Sequence, residues 1–204
     1  MNSIFTATFR TFAVMSKNVI LVDADYVDKV VFELTVNFER MIGRRIPQAD
    51  MARWIDCIAL DGGLRQGEHE TQVVLIHDKG IASLKNFIPG DYQKELNGMA
   101  FKDNLGEFVF EHHPVEEITT KTDFFIDALQ TICQQTEVER IMVIPDAEHI
   151  YNNVRATLRH FDNGKHITVF TMQPMEGGPF RQEILGYSLM AALGVRSEEL
   201  QPTY

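Results

Sequence analysis

Apolar residues fall along the chain in two periods. Continuous runs at Val19-Ile20-Leu21-Val22, Val73-Val74-Leu75-Ile76 and Ile141-Met142-Val143-Ile144 each lead to an aspartate: Asp23, Asp78 and Asp146. Unbroken β-branched runs of this length predict strands covered on both faces, and hence a parallel sheet. Between them the spacing turns helical. Val27, Val30, Val31, Leu34, Phe38, Met41 and Ile42 mark a helix after Asp25, and Met51, Trp54, Ile55 and Ile58 mark a second one running from Pro47 to the Gly62-Gly63 pair. The rest reads as strand Thr71 to Ile76, strand Glu107 to Phe110, helix Lys121 to Gln135 and strand Arg140 to Ile144. Helix Glu148 to Phe161, strand His166 to Thr171 and helix Phe180 to Leu193 follow, the last with Pro179 in its first turn. Turn signals crowd residues 79–117, the least regular third. Alternating strands and helices predict an α/β fold: a three-layer α/β/α sandwich around a mostly parallel sheet.

At 204 residues and 45% hydrophobic content, the chain fits one domain with a full core. We expect that domain over residues 15–204, with residues 1–14 as an extension ahead of Met15-Ser16-Lys17-Asn18. There is no internal repeat, low-complexity tract or linker. The opening segment lacks the basic start and unbroken apolar core of a secretion signal, and no stretch approaches the length of a membrane span, so the expected compartment is the cytoplasm. Cys57 and Cys133 lie in helical, apolar contexts without CxxC spacing and read as buried free thiols. The net charge of −10 opposes broad, non-specific phosphate binding, so a nucleic-acid substrate would need a local basic rim or a metal.

Candidate chemistry gathers at the strand tips, because ligands of open α/β sheets sit outside the carboxyl ends of the strands. Asp23 and Asp25 flank Ala24 at the first tip; Asp146 and Glu148 flank Ala147 at the fourth. If those strands are neighbours, four carboxylates converge, and Mg²⁺ or Mn²⁺ would neutralise them through oxygen ligands. An aspartate between strand and helix is equally the expected N-cap, with Asp25 and Asp28 as one capping arrangement and Asp146 capping the next helix as another. Asp123 and Asp127 share a helix face, although Thr120-Lys121-Thr122-Asp123 also fits a capping box. Asp78, before Lys79-Gly80, reads as a turn residue.

Val19-Ile20-Leu21-Val22-Asp23-Ala24-Asp25, Lys121-Thr122-Asp123 opening a helix, and Val143-Ile144-Pro145-Asp146-Ala147-Glu148-His149 ahead of Gly164-Lys165-His166-Ile167-Thr168-Val169-Phe170 together resemble the NYN branch of the PIN-like nuclease superfamily. The resemblance spans most of Asn18 to Thr171. It implies a PIN-like parallel α/β/α fold and an endoribonuclease with RNA as substrate and Mg²⁺ or Mn²⁺ as cofactor. Asp23 would take the first-strand ligand role, Asp123 the helix-start role, Asp146 with Glu148 the fourth-strand role, and Asp127 an auxiliary ligand role. Asp25, Lys121 and Arg155 stand beside this set. The chain departs from the family where Pro145 and Ala147 replace a glycine-containing turn and Tyr26 replaces the usual amide, so a non-catalytic module binding a protein partner or a second copy is the alternative. The run into Asp23-Ala24-Asp25 also resembles the first motif of haloacid-dehalogenase-like phosphatases, with Asp23 as nucleophile, Asp25 as acid/base and Asp146 as magnesium ligand. Their second strand should end in Ser or Thr, and this one ends in His77-Asp78.

Other features admit a functional or a plain reading. Arg155, Arg159, Lys165 and Arg44-Arg45 could rim a phosphate site or be ordinary solvated charges. Glu176-Gly177-Gly178-Pro179 could hold an anion near Arg181 or be a flexible loop. His112-His113 lacks the spaced partners of a transition-metal site. No Ser-His-Asp or Cys-His arrangement, Walker-type loop or zinc framework is present.

Overall fold

The computed structural model describes residues 16–161 and 164–200; the expected extension over 1–14 and the start at Met15 lie outside the described residues. The chain runs β1 (Asn18–Asp23), α1 (Ala24–Ile42), β2 (Ala49–Asp50), α2 (Met51–Asp61), β3 (Glu70–Asp78), β4 (Phe87–Ile88), a π turn (Tyr92–Leu96), β5 (Ala100–Asp103) and β6 (Gly106–Val115). It continues through α3 (Lys121–Gln134), β7 (Arg140–Ile144), α4 (Tyr151–Leu158), β8 (His166–Thr171), β9 (Arg181–Ile184), α5 (Leu185–Ala192) and a 3₁₀ turn (Ser197–Leu200). Seven strands form one sheet in the order β5-β6-β3-β1-β7-β8-β9, parallel except for β5. β2 and β4 pair separately.

The unbroken apolar run of β1 has a direct cause. Ile20 and Val22 pack with Val27 of α1, Trp54 and Ile58 of α2 and Leu189 of α5. Val19 and Leu21, on the other side of the pleat, pack with Phe125 and Leu129 of α3 and Val154 and Leu158 of α4. Both faces are dry, so neither parity of the strand can be polar. α1 therefore leaves β1 toward one face, and α4 leaves the adjacent β7 toward the other. This is a topological switch point, where an open parallel sheet parts to form a crevice at its carboxyl edge. Among the described residues no helix is long and apolar enough to cross a membrane.

Several elements differ from the sequence expectation. Arg181–Ile184 is not the start of a helix but a parallel edge strand beside Thr168–Thr171, so Pro179 does not open a helix and α5 begins only at Leu185. The helix expected from Glu148 begins at Tyr151, because Asp146 to Ile150 is taken up by a turn in which the Asp146 carbonyl accepts from His149 N and Ile150 N. The second helix starts at Met51, capped by Asp50, after the short β2. β6 runs to Val115 rather than Phe110, drawn out by its register along the whole of β3. Among the described residues Cys57 and Cys133 form no disulfide; Cys133 is buried and Cys57 half-buried.

One carboxyl pair links α2 to the β5–β6 turn. Burial, reinforced by a hydrogen bond and repulsion from Asp103, pushes the Asp56 carboxyl up to about 7. Its folded affinity for a proton exceeds that in the unfolded chain, so this contribution to stability is present at acid pH and is lost as pH rises through about 7. Asp56→Asn is expected to flatten that loss, seen as a smaller drop in Tm between pH 5 and 8; an identical pH slope in the variant would contradict the shared proton.

Candidate functional site

Asp23 ends β1 and caps α1, its Oδ1 accepting from Tyr26 N at 3.1 Å. The residue is 1% exposed, and burial pushes its carboxyl up to about 6 against the pull of Lys121 and of the Tyr26 amide. Asp25 and Asp146 add repulsion. Asp25 is not the cap; its Oδ2 accepts from Asp78 N at 2.7 Å, tying the tip of β1 to the tip of β3. Asp28 instead accepts from the Lys85 and Asn86 amides. Lys121, the first residue of α3, reaches in from the opposite face of the sheet. Its Nζ lies 3.1 Å from Asp25 Oδ2, 3.5 Å from Asp23 Oδ1 and 3.6 Å from Asp78 Oδ2. Burial pulls the lysine pKa down, but the surrounding carboxylates outweigh it and the net shift is upward. Asp78 also makes the expected turn, its carbonyl accepting from Ile81 N.

Beyond β7 a second acidic group is less satisfied. Asp146 does not cap α4. One of its carboxylate oxygens, Oδ2, pairs with His149 Nδ1 at 2.8 Å, and the buried Oδ1 has no hydrogen-bond partner among the described residues. Glu148 pairs with Lys29 of α1 at 3.2 Å. Ligand atoms of Asp146, Glu148 and His149 lie within 4.8 Å of one another. The Tyr26 hydroxyl is likewise buried without a partner among the described residues, and its pKa is raised by burial and then by Glu148 and Asp146. The Asp146 and Glu148 carboxylates and the His149 imidazole could hold a divalent cation of intermediate hardness, such as Mn²⁺, with Mg²⁺ able to use the carboxylates alone. Around Lys121, by contrast, the ammonium already offsets part of the carboxylate charge.

The remaining candidates divide by location. Asp123 sits in the capping box: its backbone N–H donates to Thr120 Oγ1 at 3.0 Å, and its Oδ2 accepts from that hydroxyl at 2.8 Å. Asp127 is its neighbour on α3, pushed up by burial and then by Asp123. Arg155 faces the loop before β9, where Nε donates to Gly177 O at 2.7 Å and the guanidinium pairs with Glu176, whose carbonyl accepts from Tyr151. Arg44 pairs with Glu199, and Lys165 donates to the Gln135 and Val138 carbonyls. These three cations hold the chain together locally and do not join the acidic rim.

One feature beside the rim has no counterpart in the sequence reading. The rings of His77 and Tyr92 stack at 3.8 Å and 6°. His77 Nδ1 lies 2.9 Å from Asp78 O, so it carries the proton; Nε2 then accepts from His112 Nδ1 at 2.9 Å, and His112 Nε2 lies 3.3 Å from Gln93 Oε1. This order requires a neutral His77. Burial lowers the pKa of each, helped at His112 by His77 and His113. With folded values below the unfolded one of about 6.5, the contribution is present above that pH and is lost as pH falls through the folded values. His112→Gln is therefore expected to shrink the loss of Tm between pH 7.5 and 5; an unaltered acid limb would refute the neutral chain. The sequence offered only the position of His77 at the end of an apolar run; its contact with His112 depends on the β3–β6 register.

No curated protein and no solved structure matches this chain. A family match does extend from ahead of β1 through the last 3₁₀ turn, covering every strand tip described above. The chain belongs to the family of unknown function DUF6621, which matches residues 13–200.

Proposed function

We propose that this protein is a divalent-metal-dependent endoribonuclease-like domain, a three-layer α/β/α fold of the PIN-like, NYN type, acting at the carboxyl edge between β1 and β7. The observation that carries the reading is the pair of unmatched buried oxygens, Asp146 Oδ1 and Tyr26 Oη, beside Glu148 and His149 at a topological switch point. Asp146, Glu148 and His149 would hold Mg²⁺ or Mn²⁺, with the buried Asp23 adding negative charge from β1. When bound, such an ion supplies a water of lowered pKa and a counter-charge for a phosphodiester. Lys121 and Lys29 place two ammonium groups at the same edge, where they draw in and orient a phosphate on a chain whose net charge is otherwise −10. Asp123 and Asp127 complete the reading as the helix-start acids of α3.

The test is direct. Mn²⁺ or Mg²⁺ should raise Tm and support cleavage of single-stranded RNA, and Asp23→Asn with Asp146→Asn should remove both; RNA left intact with no thermal response to either ion would reject the proposal. A second reading, a non-catalytic interaction module, is favoured by one observation: Lys121 already pairs with Asp23, Asp25 and Asp78 without a metal. A stably bound protein partner together with a flat metal response would select it.

A further inference from the structure

One cation meets three anions at the tips of β1 and β3. Lys121 Nζ lies 3.1 Å from Asp25, 3.5 Å from Asp23 and 3.6 Å from Asp78, and the lysine side chain is only 26% exposed, so these acids rather than water supply most of its counter-charge. They are held from separate places: Asp23 by the Tyr26 amide at the end of β1, Asp25 by the Asp78 amide, and Asp78 at the end of β3. Tyr92 adds a further oxygen. The residue is 1% exposed, its ring lies flat on His77, and its hydroxyl is buried with no hydrogen-bond partner among the described residues. After burial itself, the charges of Asp25, Asp28, Asp23 and Asp78 do most to hold the phenol proton on, which sets the hydroxyl among these carboxylates. Carboxylates together with a neutral oxygen are the donors of a hard divalent cation. A lone ammonium meets that demand only in part, bringing one positive charge to three carboxylates.

We propose that the Lys121 ammonium is a tethered stand-in for a divalent cation: it fills, between Asp23, Asp25 and Asp78, a position that Mn²⁺ takes once the side chain is removed. The native edge then admits one exchangeable ion, at Asp146, a count that rests on the metal reading above. Room comes from the substitution itself, because Lys121→Ala vacates the volume of the butylammonium arm. Asp25 stays fixed by the Asp78 amide, and the Asp78 side chain, 58% exposed, can close toward an ion held at about 2.1 Å. Metal-assisted attack on a phosphodiester commonly uses two cations, which stabilise the attacking and the leaving oxygen. In this chain one of the pair would be built in. An ammonium offers charge and N–H donors to a phosphate oxygen, and it neither dissociates nor ionises a water.

Mn²⁺ bound per full chain is counted by electron paramagnetic resonance at about 1 mM free ion, with Tm as the second readout. The expected counts are one for the wild type, two for Lys121→Ala, none for Asp146→Asn and one for the two substitutions together, and Mn²⁺ should raise the Tm of that double variant. Lys121→Arg keeps a tethered cation and should keep the wild-type count. A wild type that binds none while Lys121→Ala binds one would reject the metal reading at Asp146 and leave this inference standing. Lys121→Ala binding no more Mn²⁺ than the wild type would overturn it, and so would an extra ion in Lys121→Arg, which would show a general loosening of the edge. If the double variant is unfolded without metal, refolding in Mn²⁺ supports the proposal, since the ion then replaces the lost ammonium, and failure to refold overturns it.

Discussion

Lys121→Met is expected to lower stability by about 2 kcal/mol at pH 7, read as an earlier midpoint in urea. Removing one member of a buried ion pair typically costs about 3–5 kcal/mol, because the partner is left charged and unsolvated. The cost here is smaller because the Lys121 side chain keeps a quarter of its surface in water. The variant leaves the Asp23, Asp25 and Asp78 carboxylates facing one another, and Asp23 is the most deeply buried of them. Its carboxyl already titrates at about 6 with the lysine present, so the substitution raises it further and moves the damage to neutral and alkaline pH. Below that range a protonated Asp23 needs no counter-charge, and the difference between the two proteins narrows. Adding Asp25→Asn should recover part of the loss, because an amide oxygen can still accept from Asp78 N. An unchanged urea midpoint in Lys121→Met would show that the three carboxylates do not depend on it.

Asp146→Asn is expected to reduce metal-stimulated RNA cleavage by more than about a hundredfold, on the proposal above that Asp146 holds the ion. Losing a residue that merely supports a metal ligand already costs about 10–100-fold, which sets the floor for losing the ligand itself. The fold should hardly notice. Oδ1 of Asp146 has no partner to lose, and an amide oxygen can replace Oδ2 as the acceptor for His149, so the change in stability in the absence of metal should stay within about 0.5 kcal/mol. That separation is the useful part. An Asp146→Asn protein that melts as wild type without metal, yet shows no metal-induced rise in Tm, isolates ligation from folding. Retained cleavage would place the chemistry elsewhere, and Asp123→Asn in the same assay reports whether the capped helix-start acid takes part.

The parallel core was legible because burial on two faces leaves a strand no polar parity, and Val19 to Val22, Val73 to Ile76 and Ile141 to Ile144 show that without ambiguity. The Thr120–Asp123 cap was legible too, being a contact within one turn. β9 was not, since Arg181-Gln182-Glu183 carries no apolar period and a preceding proline with a following apolar stretch imitates a helix start. At the site, Asp23, Asp25, Asp146 and Glu148 could be picked out as strand-tip acids. What the sequence could not order was which cation meets which acid. That depends on α3 crossing the far face of the sheet to bring Lys121 within reach of residues 96 and 98 positions earlier. Tyr26 stood out in the sequence only as a departure from the resembled family's amide; that its hydroxyl is buried without a partner among the described residues had no signal there.

The sheet also ends in a way that bears on self-association. β5 and β9 are four residues each, and both carry charged side chains, Lys102 and Asp103 on one and Arg181 and Glu183 on the other. A further strand docking against either margin would have to bring charge against its own backbone, over a length too short to offset it. The architecture thus guards its flanks against edge-to-edge stacking of copies, and at high concentration the protein should resist growth into cross-β fibres from these margins.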